Sequence, residues 1–183
     1  MHFMDGRLLI ATPQMTDKRF HRAVIFVCMH RDDGAMGIVI NRLAGGLTYG
    51  QLMSQLGIEL DPSSNDRPVH AGGPVEPSRG FVLHSVDRVE ENTMVIEGFG
   101  LTSTTDILRA IHKGEGPNKN ILALGYAGWG PGQLDDEIRQ NAWLDIVPDE
   151  SLVFDLDFDT KWERAFAKLG VDLAMLSTEA GHA

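Results

Sequence analysis

The fold is decided by residues 23–41, Ala-Val-Ile-Phe-Val-Cys-Met-His-Arg-Asp-Asp-Gly-Ala-Met-Gly-Ile-Val-Ile-Asn. The run from Ala23 to His30 is almost continuously apolar and rich in β-branched residues, which predicts a strand buried on both faces. Asp and Gly in the next four residues supply the backbone freedom that a tight reversal needs. A second apolar run then extends from Ala35 to Asn41. The whole stretch therefore predicts an antiparallel β-hairpin.

Weaker strand and helix signals surround this hairpin. Strands are predicted over residues 8–11, 69–71, 80–85, 93–96, 120–126 and 143–147. Two helices are predicted from capping residues: one over 48–56, and one from a cap at Thr102 or Ser103 to Gly114. A third is predicted from Pro131, in its first turn, to Ala142. A fourth is predicted around an apolar stripe formed by Trp162, Ala165, Phe166 and Leu169. Residues 61–68 are polar and predict a loop. The mixed order of strands and helices favours an α+β layout around one sheet system, with residues 1–183 as one domain.

Composition and charge exclude several classes of protein. The chain has 183 residues, 43% of them hydrophobic, which is enough for a core without disulfide or metal support. The formal charge is −10, which disfavours direct binding to nucleic acids or to anionic membranes. The longest apolar run is far shorter than the about 20 residues that span a bilayer. We see no secretory signal at the N-terminus, so we expect a cytoplasmic protein.

Cys28, the single cysteine, lies two residues before His30 on the first strand of the hairpin. Residues two apart on a strand share a face, so His30 could act as the base that makes a Cys28 thiolate. The alternative is a buried apolar cysteine beside a histidine at the end of a strand. Spacing does not choose between these two interpretations, because a nucleophile and its base are recognised by geometry.

A stretch rich in glycine and aromatic residues joins a strand to a helix at Leu124–Gln133. Glycines in such a loop let a ligand approach the backbone N–H groups. Asp135, Asp136 and Glu137 follow at once and would repel an anion, so the spacing predicts no phosphate site. Two interpretations stay open: a small-ligand site, or a structural turn with Trp129 packed over it.

Metal sites find little support in the sequence. The segment Phe154–Asp159 alternates apolar residues with Asp155, Asp157 and Asp159, which predicts an acidic edge strand or, alternatively, a Ca²⁺ site. Thr160 and Phe166 stand where an EF-hand loop needs Gly and Glu, so we reject an EF-hand. No two histidines have zinc-ligand spacing, and we expect neither a metal nor a cofactor.

A set of ordered blocks resembles the AlgH/YqgE family of bacterial proteins from near residue 8 to the C-terminus. The blocks are Leu9–Met15, Cys28–His30 with Gly34–Arg42, Gly72–Val75, Arg79–His84, Leu124–Trp129 with Gly132–Leu134, Asn141–Leu144 and Ala180–Ala183. The resemblance implies a compact domain with a bifurcated, mainly antiparallel sheet curled into a pseudo-barrel and helices packed outside. The AlgH name implies a link to transcriptional regulation of alginate synthesis. The resemblance to this family implies no catalytic residues for this chain.

We therefore predict an accessory or regulatory binding module that acts through a protein or small-molecule partner. The candidate binding residues are Asn41, Arg42, Gly73, Arg79, His84, Tyr126, Trp129 and Gln133. The alternative hypothesis is an enzyme that uses Cys28 as a nucleophile on an acyl or redox substrate. A binding site requires that candidates such as His84, Tyr126 and Trp129 converge on one cleft.

Overall fold

The predicted hairpin lies in the middle of one curled sheet. In a computed structural model, which describes residues 3–60 and 67–170, β2 (Val24–Arg31) pairs antiparallel with β3 (Gly34–Val39). Phe26 lies opposite Ile38, and the register shifts between Val27 and Met29. This bulge lies at Cys28, within the strand that the sequence predicts most clearly.

The other elements follow in an order that mixes strands and short helices. The strands are β1 (Leu8–Ala11), β4 (Val69–Ala71), β5 (Val75–Ser85), β6 (Met94–Ile96), β7 (Phe99–Thr102), β8 (Asn120–Trp129) and β9 (Trp143–Ile146). The helices are α1 (Tyr49–Gln55), α2 (Asp106–His112), α3 (Gln133–Arg139), α4 (Glu150–Phe154) and α5 (Lys161–Lys168), with a 3₁₀ turn at Lys18–Phe20.

The sheet divides at β8. Its strand order is β6-β7-β5-β8-β3-β2-β1-β9, and every pair along this path is antiparallel. One edge of β8 is shared by two strands: Leu122–Leu124 pair with β4 in parallel, and Ala127–Trp129 pair with β3. The predicted bifurcated and mainly antiparallel sheet is therefore confirmed.

Curling brings the two ends of the sheet onto one inner core. Ile96 of β6 and Ile146 of β9 belong to the same buried cluster, together with Phe26 of the central hairpin and residues of α4 and α5 such as Phe166. Burying an aromatic or aliphatic side chain of this kind contributes about 1.5–3 kcal/mol. The other face of the hairpin packs on α3, and α1 and α2 cover the outer face of β5 and β8.

Glycine is required where the segment before β1 packs against the turn after β6. Gly6 has a φ of +76°, and a Cβ there would lie 2.6 Å from the Cβ of Glu97 in the turn after β6. A side chain at residue 6 would therefore both strain the backbone and push the segment before β1 away from the turn after β6.

Three local predictions are wrong or incomplete. Thr102 does not cap a helix, because it pairs with Val82 as the last residue of β7, and α2 begins after Thr105. Pro131 precedes α3, whose N-cap is the left-handed Gly132. The sequence did not predict β7 or α4. Of the predicted loop 61–68, residues 61–66 lie outside the described part of the chain.

Candidate functional site

An open apolar groove of about 460 Å³ lies across β2, β3, β8 and β5, beside the turn that joins β2 to β3. Met29 of β2 lies opposite Met36 of β3, and Met36 lies opposite Gly128 of β8. On the other side of the groove, Tyr126 of β8 pairs with Val75 of β5. The complete lining is Met29, Asp33, Gly34, Ala35, Met36, Val75, Tyr126, Gly128 and Trp129.

This groove continues the inner face of the sheet beyond the part that α4 and α5 cover. Met36 and Tyr126 pack against the edge of the inner core, whereas Met29 is 40% exposed and Val75 is 36% exposed. Methionine side chains adapt their shape to what packs on them, so the groove suits an apolar group that is not part of this fold.

Gly128 forms the floor of the groove. A Cβ at this position would lie 3.6 Å from Val75 Cγ2 and 3.7 Å from Tyr126 Cε2, which are ordinary van der Waals contacts. The backbone there accepts a side chain, and the groove exists because residue 128 has none.

The rim of the groove carries charges of both signs. Partial burial, followed by the neighbouring Glu76 carboxylate, raises the pKa of Tyr126. Glu76 adopts a left-handed φ of 46° and pairs with Arg79 at 3.4 Å, and Arg79 also lies 4.9 Å from the centre of the Phe81 ring. At the opposite rim, Asp33 is exposed and has no ion-pair partner among the described residues.

Gly73 does not line the groove, and its role is close backbone packing. A Cβ at Gly73 would lie 2.0 Å from the carbonyl carbon of Tyr126. The glycine therefore lets the chain before β5 pass against β8, and it offers no group to a ligand.

The structure does not bring Cys28 and His30 together as a nucleophile and its base. Burial raises the pKa of the Cys28 thiol to about 12, with a further contribution from the charge of Asp5. The Sγ atom lies 3.8 Å from the carbonyl oxygen of Phe26. The Met4 amide donates to His30 Nδ1 at 3.1 Å, which leaves Nε2–H to donate to Asp135 Oδ2 at 3.3 Å. Both ring nitrogens of His30 thus hold the N-terminal segment and α3 in place.

His84 is buried away from the groove in a directed chain of hydrogen bonds. Its Nδ1 lies 2.8 Å from the Ser85 carbonyl, which can only accept, so Nδ1 carries the proton. The Thr102 hydroxyl then donates to Nε2 at 2.8 Å and accepts from the Thr93 hydroxyl at 2.8 Å. Every polar atom in this chain is used within the fold, and His84 does not converge with Tyr126 and Trp129.

Three further candidates have structural hydrogen bonds. Asn41 Oδ1 accepts from the Val24 amide at 2.9 Å, and its Nδ2 donates to the Arg22 carbonyl at 2.9 Å. Arg42 donates to the His21 carbonyl, and burial lowers the pKa of its guanidinium. Gln133 Oε1 accepts from the Gly130 amide at 3.0 Å at the start of α3. These contacts hold strand and helix ends together.

The acidic segment after α4 is a turn, so the predicted edge strand at Phe154–Asp159 is wrong. Asp155 Oδ1 accepts from the Asp157 amide at 2.7 Å, and Asp155 Oδ2 pairs with Arg164 at 2.8 Å. Asp157 accepts from the Thr160 hydroxyl at 2.9 Å. Over residues 3–60 and 67–170, no group of three or more His, Cys, Asp or Glu side chains is placed to hold a metal ion.

Two residues with strongly lowered pKa values, His70 and Lys161, are not indicated by any sequence motif. Both side chains are fully buried. His70 Nδ1–H donates to the Arg42 carbonyl at 3.2 Å, and Nε2 has no partner among the described residues. Burial, with the Lys161 charge next, lowers the pKa of His70 to about 4. Burial also lowers the pKa of Lys161 to about 8, and its Nζ donates to the Val153 carbonyl at 2.9 Å.

The forked, curled sheet with helices packed on it defines an α+β class with a half-barrel sheet, and in this chain a groove on the inner face of the sheet is left uncovered. The chain belongs to the AlgH-like family, whose model matches residues 8–174. Residues from the opening strand to α5 therefore belong to one family pattern, as the resemblance in the sequence implies.

Relatives and solved structures agree with this assignment. A UPF0301 protein of Afipia carboxidovorans is 52% identical, over 99% of this chain and 90% of the relative. The solution structure of the AlgH protein from Pseudomonas aeruginosa is 39% identical with a TM-score of 0.78, covering 97% of this chain and 95% of that one. A crystal structure from Corynebacterium diphtheriae has a TM-score of 0.73 at 20% identity, over 97% of this chain and 93% of that one, and shows the same fold.

Within residues 3–60 and 67–170, no helix is both long enough and apolar enough to cross a bilayer.

Proposed function

We propose that this protein is an accessory binding module that recognises a segment of a partner protein in the Tyr126 groove. The observation that carries the proposal is the groove itself: an apolar surface at the end of the sheet, with a floor kept open by Gly128. Exposed apolar patches bordered by polar residues are typical of sites where proteins interact.

The charge around the groove favours a partner segment that carries an apolar side chain next to Lys or Arg. Asp33 stands unpaired at one rim among the described residues, and the chain carries a formal charge of −10. The Asp33 carboxylate and the negative net charge both attract a cationic segment, and this attraction weakens as the salt concentration rises. Any regulatory effect of the AlgH kind then runs through this protein partner in the cytoplasm, without direct contact to DNA.

Glu76 provides a second local argument. A non-glycine residue with a left-handed backbone costs about 1 kcal/mol or more, and such strain concentrates at binding sites. Here the strained residue lies next to the tyrosine of the groove, and its carboxylate raises the pKa of Tyr126. Its conformation places the first half of β5, which is exposed, along the edge of the groove.

Replacement of Gly128 by Leu tests the proposal because it fills the groove from its floor. Gly128→Ala is the matched control, since its Cβ fits with ordinary contacts and leaves most of the groove open. Immobilised wild-type protein and both variants are exposed to a cytoplasmic extract of the host bacterium. A retained protein is then purified, and its affinity for all three is measured at low and high salt.

We expect a partner that binds wild type and Gly128→Ala with similar affinity, binds Gly128→Leu at least about tenfold more weakly, and weakens with salt. A partner that binds Gly128→Leu as well as it binds wild type contradicts the proposal. Tight, salt-sensitive binding of the purified protein to duplex DNA contradicts the partner-mediated mechanism.

A further inference from the structure

A leucine-lined pocket of about 200 Å³ lies between α1 and α2 on the outer face of the sheet, separate from the Tyr126 groove. Its apolar walls come from two helices and two strands: Leu52, Leu56, Leu108, Val82, Leu122 and Leu124. Leu52, Leu56 and Leu124 are only partly buried, so these side chains border space and are not packed against protein on all sides.

The pocket remains open because Gly80 of β5 contributes no side chain. A Cβ at Gly80 would lie 3.8 Å from Leu124 Cδ2, which is an ordinary contact. The surrounding elements are held in place by other buried residues, including Met53 and Ile107. The leucines therefore line a preformed space, and an apolar body that enters it removes their surface from water.

Part of the pocket lining is polar, and the cation Arg109 lies next to this part, the mouth of the pocket. Ser78, Ser103 and Thr105 line it with hydroxyl groups. Arg109 does not itself line the pocket, but its guanidinium bonds to two residues that do: Nη1 donates to Thr105 Oγ1 at 3.4 Å, and Nη2 donates to the Leu56 carbonyl at 3.4 Å.

The guanidinium of Arg109 is not committed to a strong partner. Its ion pair with Asp106 is also long, at 3.4 Å, and the Asp106 side chain is 79% exposed. Strong bonds between arginine and a carboxylate are about 2.7–2.9 Å and often bidentate. A carboxylate at the mouth would therefore improve on every contact that Arg109 now makes.

We propose that this pocket binds a small monocarboxylic acid, with an apolar body of about five to eight carbon atoms between the leucines and its carboxylate on Arg109 and the neighbouring hydroxyls. A dry cavity of about 150 Å³ lined by aliphatic side chains holds benzene, so the space between α1 and α2 has room for a slightly larger body. The apolar walls select the body of the ligand, and Arg109 selects its acidic group.

The experiment compares hexanoate with hexan-1-ol, which has the same chain length and no charge. Each is titrated into the full chain while backbone amide shifts are recorded by NMR, so that the residues affected and the Kd are both measured. The variants are Gly80→Leu, which fills the pocket, Gly80→Ala as its matched control, and Arg109→Gln, which removes the charge at the mouth. Leu52→Phe fills the pocket from the opposite wall if Gly80→Leu does not fold.

We expect both probes to give saturable shifts at the residues that line the pocket, and the pocket-filling variants to lose binding of both. Arg109→Gln should weaken hexanoate about tenfold or more and change hexan-1-ol less than about twofold, because the hydrogen bonds to a charged group are lost. No saturable shift in the pocket, or hexanoate binding that survives pocket filling, overturns the proposal. An unchanged hexanoate affinity in Arg109→Gln overturns the choice of an acid.

Discussion

Replacement of His70 by Asn should make the stability of this protein less sensitive to acid. In the folded protein, burial and the Lys161 charge lower the pKa of His70 to about 4, from an ordinary value of 6.5. Asn retains an N–H donor for the Arg42 carbonyl, which His70 contacts through Nδ1. It does not titrate, so the variant removes the protonation and keeps a donor to the backbone.

The direction of the effect follows from where the proton binds. Between pH 6.5 and pH 4 the unfolded chain holds a proton on His70 that the folded protein does not hold. The stability due to neutral His70 is therefore fully present above pH 6.5 and is lost as pH falls toward 4. The difference between the two pKa values corresponds to about 3 kcal/mol, of which about 2 kcal/mol is lost between pH 7 and pH 5.

Urea unfolding followed by tryptophan fluorescence, at pH 7 and at pH 5, measures this loss. The wild type should lose about 2 kcal/mol more free energy of unfolding over this interval than His70→Asn, whatever constant offset the substitution causes. His21→Asn is the control, since His21 is exposed and its replacement should leave the pH dependence of the wild type. Parallel pH dependences for wild type and His70→Asn would refute the reasoning.

Three other perturbations have defined outcomes. Lys161→Met should raise the free energy of unfolding at pH 7 by about 2 kcal/mol in urea titrations, because it removes a buried charge. That advantage should shrink from pH 8 to pH 10.5, since folded Lys161 loses its proton above about 8; a constant advantage contradicts the assignment. Alkylation of Cys28 at pH 8, followed by mass spectrometry, should be about a thousandfold slower in the folded than in the unfolded protein, and equal rates would restore the nucleophile hypothesis. Gly73→Ala should destabilise by about 4 kcal/mol or more, because its Cβ would overlap the Tyr126 backbone. Thermal unfolding measures this loss, and Gly45→Ala is the control because no atom lies within 4 Å of its Cβ. A similar, small effect of both substitutions is inconsistent with the clash.

The parts of the fold that sequence predicts well are those set by local patterns. The hairpin at 23–41 is predicted because a continuous apolar run and an Asp-Gly turn are both visible in neighbouring residues. Thr102 shows the limit of this approach. It has the residue type of a helix cap, but pairing with Val82 and a hydrogen bond to His84 place it in a strand. Those partners are distant in sequence, and local propensity does not report them.

The residues of the candidate site, too, were predicted only where a local sequence pattern indicates them. The glycine-rich aromatic stretch drew attention to Tyr126 and Trp129, which line one groove, although both lie in β8 and not in the loop that the glycines predict. Met29 and Met36 were missed because each lies in an apolar run where sequence does not distinguish an exposed position from a buried one. Val75 was missed because it is a single apolar residue between Pro74 and Glu76, with no pattern around it. Register across β2, β3 and β8 decides that distinction, and register is set by the folded sheet.

His70 and Lys161 extend this argument from packing to chemistry. Neither residue belongs to a motif, and a lysine at the first position of a helix is ordinarily exposed. The fold buries both, and because the desolvation of each is caused by elements far away in the sequence, no spacing predicts the low pKa of either. Conversely, Cys28 and His30 have suggestive spacing but separate hydrogen-bond partners. In this protein the unusual protonation behaviour arises from tertiary burial, so titration of the folded chain locates it where motif searches do not.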